Sequence, residues 1–129
     1  MILAFKPIFI KPILEGTKIH TVREDGTNRW KRGNKIHAAT GVRTPNYNCF
    51  KEMQCVSVQR VFMTYAYNDL IQVSIGGREL HTDQERLEFA QNDGFAEWKD
   101  FYNWFFPLIQ KHPNKCFSGK VIHWTKKRY

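Results

Sequence analysis

The stretch Glu15-Gly16-Thr17-Lys18-Ile19-His20-Thr21-Val22-Arg23 carries a lysine, a histidine, a threonine and an arginine within six residues. Pro12 can begin a short helical turn and Gly16 can end it. The β-branched residues that follow favour a strand over residues 18–23. A strand that only packs does not need so many reactive side chains, so this stretch predicts a functional site as well as a strand.

The alternation of side chains along a strand sorts these residues. Thr21 and Arg23 point to one face of a regular strand, whereas Lys18, three residues before Thr21, points to the other. Lys18 can join Thr21 only if it lies at an irregular strand start just after Gly16 and turns inward. His20 has the opposite parity to Thr21, and we expect it to lie outside the site.

Length and composition indicate one globular domain over residues 1–129, with 42% hydrophobic and 15% aromatic residues. No apolar run approaches the roughly 20 residues that span a bilayer. Three cysteines without CxxC spacing favour a reducing compartment. We therefore expect a cytoplasmic monomer that does not bind membranes. The histidines lack metal-ligand spacing, so we expect no metal and no cofactor.

The net charge of +8 is concentrated in residues 1–43, which hold nine Lys/Arg and three Asp/Glu. A positive surface attracts partners that carry phosphate, such as RNA or nucleotides. Two other interpretations stay open. The charge can serve solubility alone, or the basic surface can meet an acidic protein.

The order of predicted elements is several short strands, two adjacent helices and a closing strand. Thr82 and Glu85 form a capping box for the first helix, and regularly spaced aromatic residues mark the second. In the long strand over residues 54–65 the apolar face changes near Gln59, which predicts a bulge, a bend or burial on both sides. Residues 41–50 are predicted to form a loop or the ragged tip of a hairpin. The pattern predicts an α+β fold, a small mixed β-barrel with two or three helices packed at one side.

Three segments resemble the ASCH domain of the PUA-like superfamily. They are residues 13–23, with the pattern G-x-K-x-x-T-x-R, residues 30–36, and the Asn92-Asp93-Gly94-Phe95 junction before the aromatic helix. The resemblance implies a small barrel with a cleft beside the G-x-K-x-x-T-x-R strand that binds RNA, a nucleotide or a nucleoside. One branch of the family, the small bacterial acetylcytidine amidohydrolases, uses a Lys, a Thr and a Glu.

Carried over to this chain, the resemblance implies catalytic Lys18, Thr21 and Asp93. In that interpretation Lys18 is the base, Thr21 the nucleophile, and Asp93 orients the lysine, while Arg23 holds a carbonyl or a phosphate. Asp93 departs from the family by one methylene, and the loop over residues 41–50 is extended. The alternative is that Lys18 and Arg23 are solvated charges and that Asp93 is only the N-cap of the second helix.

The basic loop that follows supplies further candidate ligand-binding residues, namely Arg29, Trp30, Lys31 and Arg32. Trp30 can stack on a base beside phosphate contacts from its cationic neighbours. It can equally cover one end of the barrel under the aliphatic parts of those side chains. The sequence favours neither.

Overall fold

Short strands dominate the computed structural model, which describes residues 1–67 and 70–129. Within those residues eight strands and three α-helices form, and a single 3₁₀ turn covers Pro7–Phe9. The strands are β1 (Ile2–Ala4), β2 (His20–Arg23), β3 (Lys35–Thr40), β4 (Asn48–Gln54), β5 (Ser57–Tyr67), β6 (Leu70–Ile75), β7 (Arg78–Glu79) and β8 (Cys116–His123). The helices are α1 (Ile10–Glu15), α2 (Asp83–Asn92) and α3 (Trp98–Gln110). The α+β class predicted from the sequence is confirmed.

The strands pair as two sheets. One has the order β2-β8-β5-β6-β7 with antiparallel neighbours, and the other has the order β1-β3-β4 with β1 parallel to β3. The chain passes from one sheet to the other between β4 and β5, where Cys55 exchanges backbone hydrogen bonds with Gly33 and Asn34. At the other side β1 and β2 do not pair. Among the described residues the predicted closed barrel is therefore not found.

One helix, α3, covers part of the larger sheet. α3 packs against β5, β6 and β8, and its residues Phe101, Phe105 and Ile109 are fully buried at helical spacing. The helix continues through Pro107 to Gln110. None of the helices in the described residues is long and apolar enough to cross a membrane.

Two sequence predictions about strands were wrong in detail. The buried face of β5 does not change near Gln59, because Gln59, Val61 and Met63 all point into the core while Phe62 is exposed. Part of the predicted loop over residues 41–50 belongs to β4, which begins at Asn48. A buried glutamine and a polar edge strand both look unlike the apolar alternation that marks a half-buried strand.

Candidate functional site

Lys18 lies just before the first residue of β2, at the irregular strand start that it needs in order to join Thr21. Gly16 caps α1 in the left-handed conformation at φ 83°, and the Lys18 amide then donates to Pro12 O at 3.0 Å. This tight exit turns the lysine inward, and its side chain is only 2% exposed. A buried lysine needs partners, because an unpaired ammonium is costly to remove from water.

Asp93 supplies those partners from the end of α2. Lys18 Nζ donates to the Asp93 backbone carbonyl at 2.5 Å, and it lies 3.5 Å from Asp93 Oδ1. Asp93 is itself 2% exposed. The alternative that Asp93 caps the second helix is wrong, because Glu97 is the N-cap of α3 and Asp93 is the C-cap of α2.

The environment of Lys18 disfavours its charged form. Burial lowers the pKa of Lys18 below its ordinary value, and the nearby Arg23 cation acts in the same direction. The Asp93 carboxylate opposes this shift without cancelling it. The rings of Phe9 and Phe5 lie 4.8 Å and 5.7 Å from Lys18 Nζ. Such a lysine exists as the neutral amine more often than a solvated lysine does, and only the neutral amine can act as a base.

Thr21 and Arg23 lie on the face of β2 that borders the same cavity. Arg23 Nε donates to Thr21 Oγ1 at 3.3 Å, and Arg23 Nη2 donates to Ala4 O of β1 at 2.6 Å. The guanidinium also lies over Phe5, 5.0 Å from the ring centre. Arg23 therefore spans the gap between the unpaired strands β1 and β2.

Lys18, Thr21, Arg23 and Asp93 line one cavity of about 470 Å³. Its apolar wall includes Phe5, Phe9 and Trp104. Among the described residues, no direct hydrogen bond joins Thr21 to Lys18.

His20 does not line this cavity, yet it belongs to the site through Asp93. His20 Nδ1 lies 3.1 Å from Asp93 Oδ1, and His20 Nε2 lies 2.7 Å from the Tyr129 hydroxyl. Asn92 Nδ2 donates to the same hydroxyl at 2.9 Å. Parity correctly predicts that His20 points away from Thr21, but it gives no sign of these contacts. Asn92 belongs to the motif junction before Asp93, which gives no hint of this contact, and Tyr129 carries no signal in the sequence.

The basic loop does not join Lys18. Arg29 and Trp30 line a neighbouring hollow of about 860 Å³, which Arg23 also borders. Trp30 is only 4% exposed, so it packs in the core as the covering interpretation predicts. Lys31 is exposed and borders none of the larger cavities, and Arg32 lines a separate surface hollow with Lys126 and Arg128.

Within residues 1–67 and 70–129, no cluster of three His, Cys, Asp or Glu side chains could hold a metal ion. Comparison with known proteins gives no match among family models, curated proteins or solved structures. Function is therefore inferred from the side chains of the site and from the motif resemblance.

Proposed function

We propose that this chain is an ASCH-type domain of the PUA-like superfamily that binds a nucleoside or nucleotide, free or within RNA. The observation that supports this most is the convergence of the three motif side chains Lys18, Thr21 and Arg23 on one cavity. These residues come from two different segments of the G-x-K-x-x-T-x-R stretch, an irregular exit from a helix and a regular strand. Their convergence is more than strand alternation alone would produce.

The size and lining of the cavity suit one nucleoside. A volume of about 470 Å³ lies within the roughly 300–1,000 Å³ of small-molecule sites. Aromatic rings such as Phe5 and Trp104 can contact a base, while Arg23 can donate to a carbonyl or phosphate. The neighbouring hollow holds Arg29 and Arg43 beside Arg23. A phosphate attached to the ligand would be attracted there.

Binding can be tested with cytidine, cytidine monophosphate and a short single-stranded RNA, by calorimetry at low and high salt. We expect binding that weakens with salt when the ligand carries phosphate. Arg23→Gln should weaken the binding of the best of these ligands by about tenfold or more, since a hydrogen bond from a charged donor contributes roughly 1.5–3 kcal/mol.

Arg60→Gln is the matched control. Arg60 is an exposed arginine of β5 that does not line the cavity, so this variant should bind like the parent protein. Absence of binding for all three ligands at low salt would argue against the proposal, and equal losses in both variants would place the ligand elsewhere.

A second candidate function is hydrolysis of an acylated cytidine or a related amide. The burial of Lys18, which lowers its pKa, is the observation that favours it. A purely anion-binding lysine gains nothing from losing its charge, whereas a base must be able to exist as a neutral amine. Asp93 keeps the amine in place through its carbonyl and its carboxylate.

In this mechanism neutral Lys18 accepts the Thr21 hydroxyl proton, directly or through one water, as Thr21 Oγ1 attacks the acyl carbon. Arg23 donates to the oxygen that becomes negative. The C–N bond then breaks, and the Lys18 ammonium returns the proton to the leaving amine. Water hydrolyses the acyl-threonine ester and releases the acid.

Turnover of N4-acetylcytidine, followed by the release of cytidine, tests the second candidate. Lys18→Ala and Thr21→Val should each reduce turnover by about a thousandfold or more, because each removes a group that takes part in the reaction. Lys11→Ala, at a lysine whose side chain is 82% exposed, is the control and should leave turnover unchanged. A parent protein that binds acetylcytidine without cleaving it would exclude hydrolysis of this amide and leave the binding proposal intact.

A further inference from the structure

A hydrogen-bonded chain of side chains, buried at His20 and Asp93 and half-buried at Tyr129 and Asn92, lies behind the cavity. It runs from Asn92 Nδ2 to the Tyr129 hydroxyl (2.9 Å), from that hydroxyl to His20 Nε2 (2.7 Å), and from His20 Nδ1 to Asp93 Oδ1 (3.1 Å). Asp93 Oδ1 in turn lies 3.5 Å from Lys18 Nζ. Through Asp93, a phenol that does not line the cavity is thus connected to the lysine that does.

The donors along this chain have a defined direction. The Asn92 amide can only donate through Nδ2, so the Tyr129 oxygen accepts there and its own proton is available for His20 Nε2. His20 Nε2 is then the acceptor, and the hydrogen of the neutral ring lies on Nδ1, where it donates to Asp93. Burial lowers the pKa of His20, which keeps the ring neutral.

We propose that His20 and Tyr129 are positioning residues that hold the Asp93 carboxylate beside Lys18 and thereby set the protonation equilibrium of the lysine. The inference rests on the proposed function only in taking Lys18 and Asp93 as parts of the site. A carboxylate held near an ammonium stabilises the charged form, so Asp93 opposes the effect of burial on Lys18.

Substituting Tyr129 by phenylalanine can distinguish the hydrogen-bonding role of its hydroxyl from the packing of its ring. Its ring lies against Phe89 and the two buried histidines, with centroid distances of 5.2 Å to Phe89, 5.4 Å to His20 and 5.9 Å to His123. Phenylalanine would fill the same space and keep those ring contacts. Only the hydroxyl is lost in Tyr129→Phe, and with it the proton that fixes the His20 tautomer.

Other charged groups surround the chain and have to be considered in any titration. Arg23 acts on Lys18 from β2, and His123 faces His20 from β8 with 5.3 Å between the ring centres. Burial raises the pKa of Tyr129, the Asp93 and Glu88 carboxylates act in the same direction, and Lys127 lies over the ring. Tyr129→Phe alters none of these groups.

Ring-nitrogen NMR of ¹⁵N-histidine-labelled protein tests the proposal without any ligand. In the parent protein at neutral pH, His20 should be neutral with its proton on Nδ1. In Tyr129→Phe the Nδ1–H form should lose its dominance, and the deprotonation constant of Lys18, followed at its side-chain carbon, should rise about threefold or more because the carboxylate is less firmly held.

Tyr65→Phe is the control, because Tyr65 is an exposed tyrosine of β5 that takes no part in these hydrogen bonds. This variant should leave the His20 and Lys18 signals unchanged. A parent His20 with its proton on Nε2 overturns the proposal even if Tyr129→Phe does not fold. An unchanged Lys18 titration in a folded Tyr129→Phe also overturns it. Failure of the proposed function would instead appear as an absence of ligand binding, with the NMR results intact.

Discussion

His123 is a buried base with one unsatisfied nitrogen. Its Nε2 donates to Gln59 Oε1 at 3.0 Å, while Nδ1 has no hydrogen-bond partner. Burial lowers the pKa of His123 to about 3, and the neighbouring His20 and Arg128 act in the same direction. The folded protein therefore takes up this proton only at a much lower pH than the unfolded chain.

The sign of the effect on stability follows from proton binding. Between pH 6.5, the ordinary histidine pKa, and about pH 3, His123 is protonated in the unfolded chain but not in the folded protein. The free energy of unfolding therefore falls as the pH is lowered from 6.5 toward about 3. At about pH 4.5 this single group should lower the free energy of unfolding by about 3 kcal/mol. The lowered pKa of His20 acts in the same direction.

Urea unfolding at about pH 7.5 and about pH 4.5 measures this effect. His123→Gln should lose less stability on acidification than the parent protein, by about 3 kcal/mol. The control is His81→Gln, at a histidine whose side chain is 72% exposed. It should lose as much stability on acidification as the parent protein. If the two variants respond to pH alike, the burial of His123 does not govern the acid response.

The sequence predicted part of the site well. The motif and side-chain alternation together identified Lys18, Thr21, Arg23 and Asp93 as candidates, and the irregular strand start of Lys18 followed from parity. Parity states which way a side chain points but not what it meets there. The partners of His20 are 73 and 109 residues away in the chain, so no local pattern could reveal them.

At the scale of elements, the junction between α2 and α3 matters most for the site. Gly94 follows Asp93 with φ 98°, a conformation that side chains with a Cβ rarely adopt. A Cβ built at Gly94 would lie 2.8 Å from Lys18 Cδ and 3.1 Å from Phe9 Cδ1. The aliphatic part of Lys18 therefore packs directly on the bare backbone of this glycine.

Gly94→Ala should destabilise the protein by about 1–3 kcal/mol, from backbone strain and from displacement of Lys18. Gly33→Ala is a close control, because Gly33 has φ 94° but open space around a built Cβ. Urea unfolding should show the larger loss for Gly94→Ala, and ligand binding should weaken in that variant alone. Equal losses in stability and unchanged binding would mean that Lys18 accommodates the methyl group.

Several elements were predictable because their signals are local. The capping box at the start of α2 is confirmed by the hydrogen bond from the Glu85 amide to Thr82 Oγ1 at 3.0 Å. Strand β4 was not predictable, because an edge strand with few buried residues lacks an apolar face. The buried face of β5 was misread because Gln59, a polar residue, occupies a core position, where it accepts a hydrogen bond from His123.

At the scale of the whole molecule, the arrangement in two sheets could not be read from the sequence. Strand pairing between distant segments depends on contacts that no local periodicity records. β2 pairs with β8 about a hundred residues later, and β1 pairs in parallel with β3. The separation of β1 from β2 leaves the opening that contains the cavity.

Arg23 links the two sheets across that opening. It donates one hydrogen bond to Thr21 on its own strand and one to Ala4 on the other sheet. A ligand that takes the Arg23 Nη2 donor now bound to the Ala4 carbonyl breaks this contact between the sheets, so binding through that donor and the contact between the sheets are thermodynamically linked. Linkage of this kind is reciprocal. A change that weakens the contact between β1 and β2 makes Arg23 more available to a ligand. A ligand bound by Arg23 in turn makes β1 and β2 easier to separate.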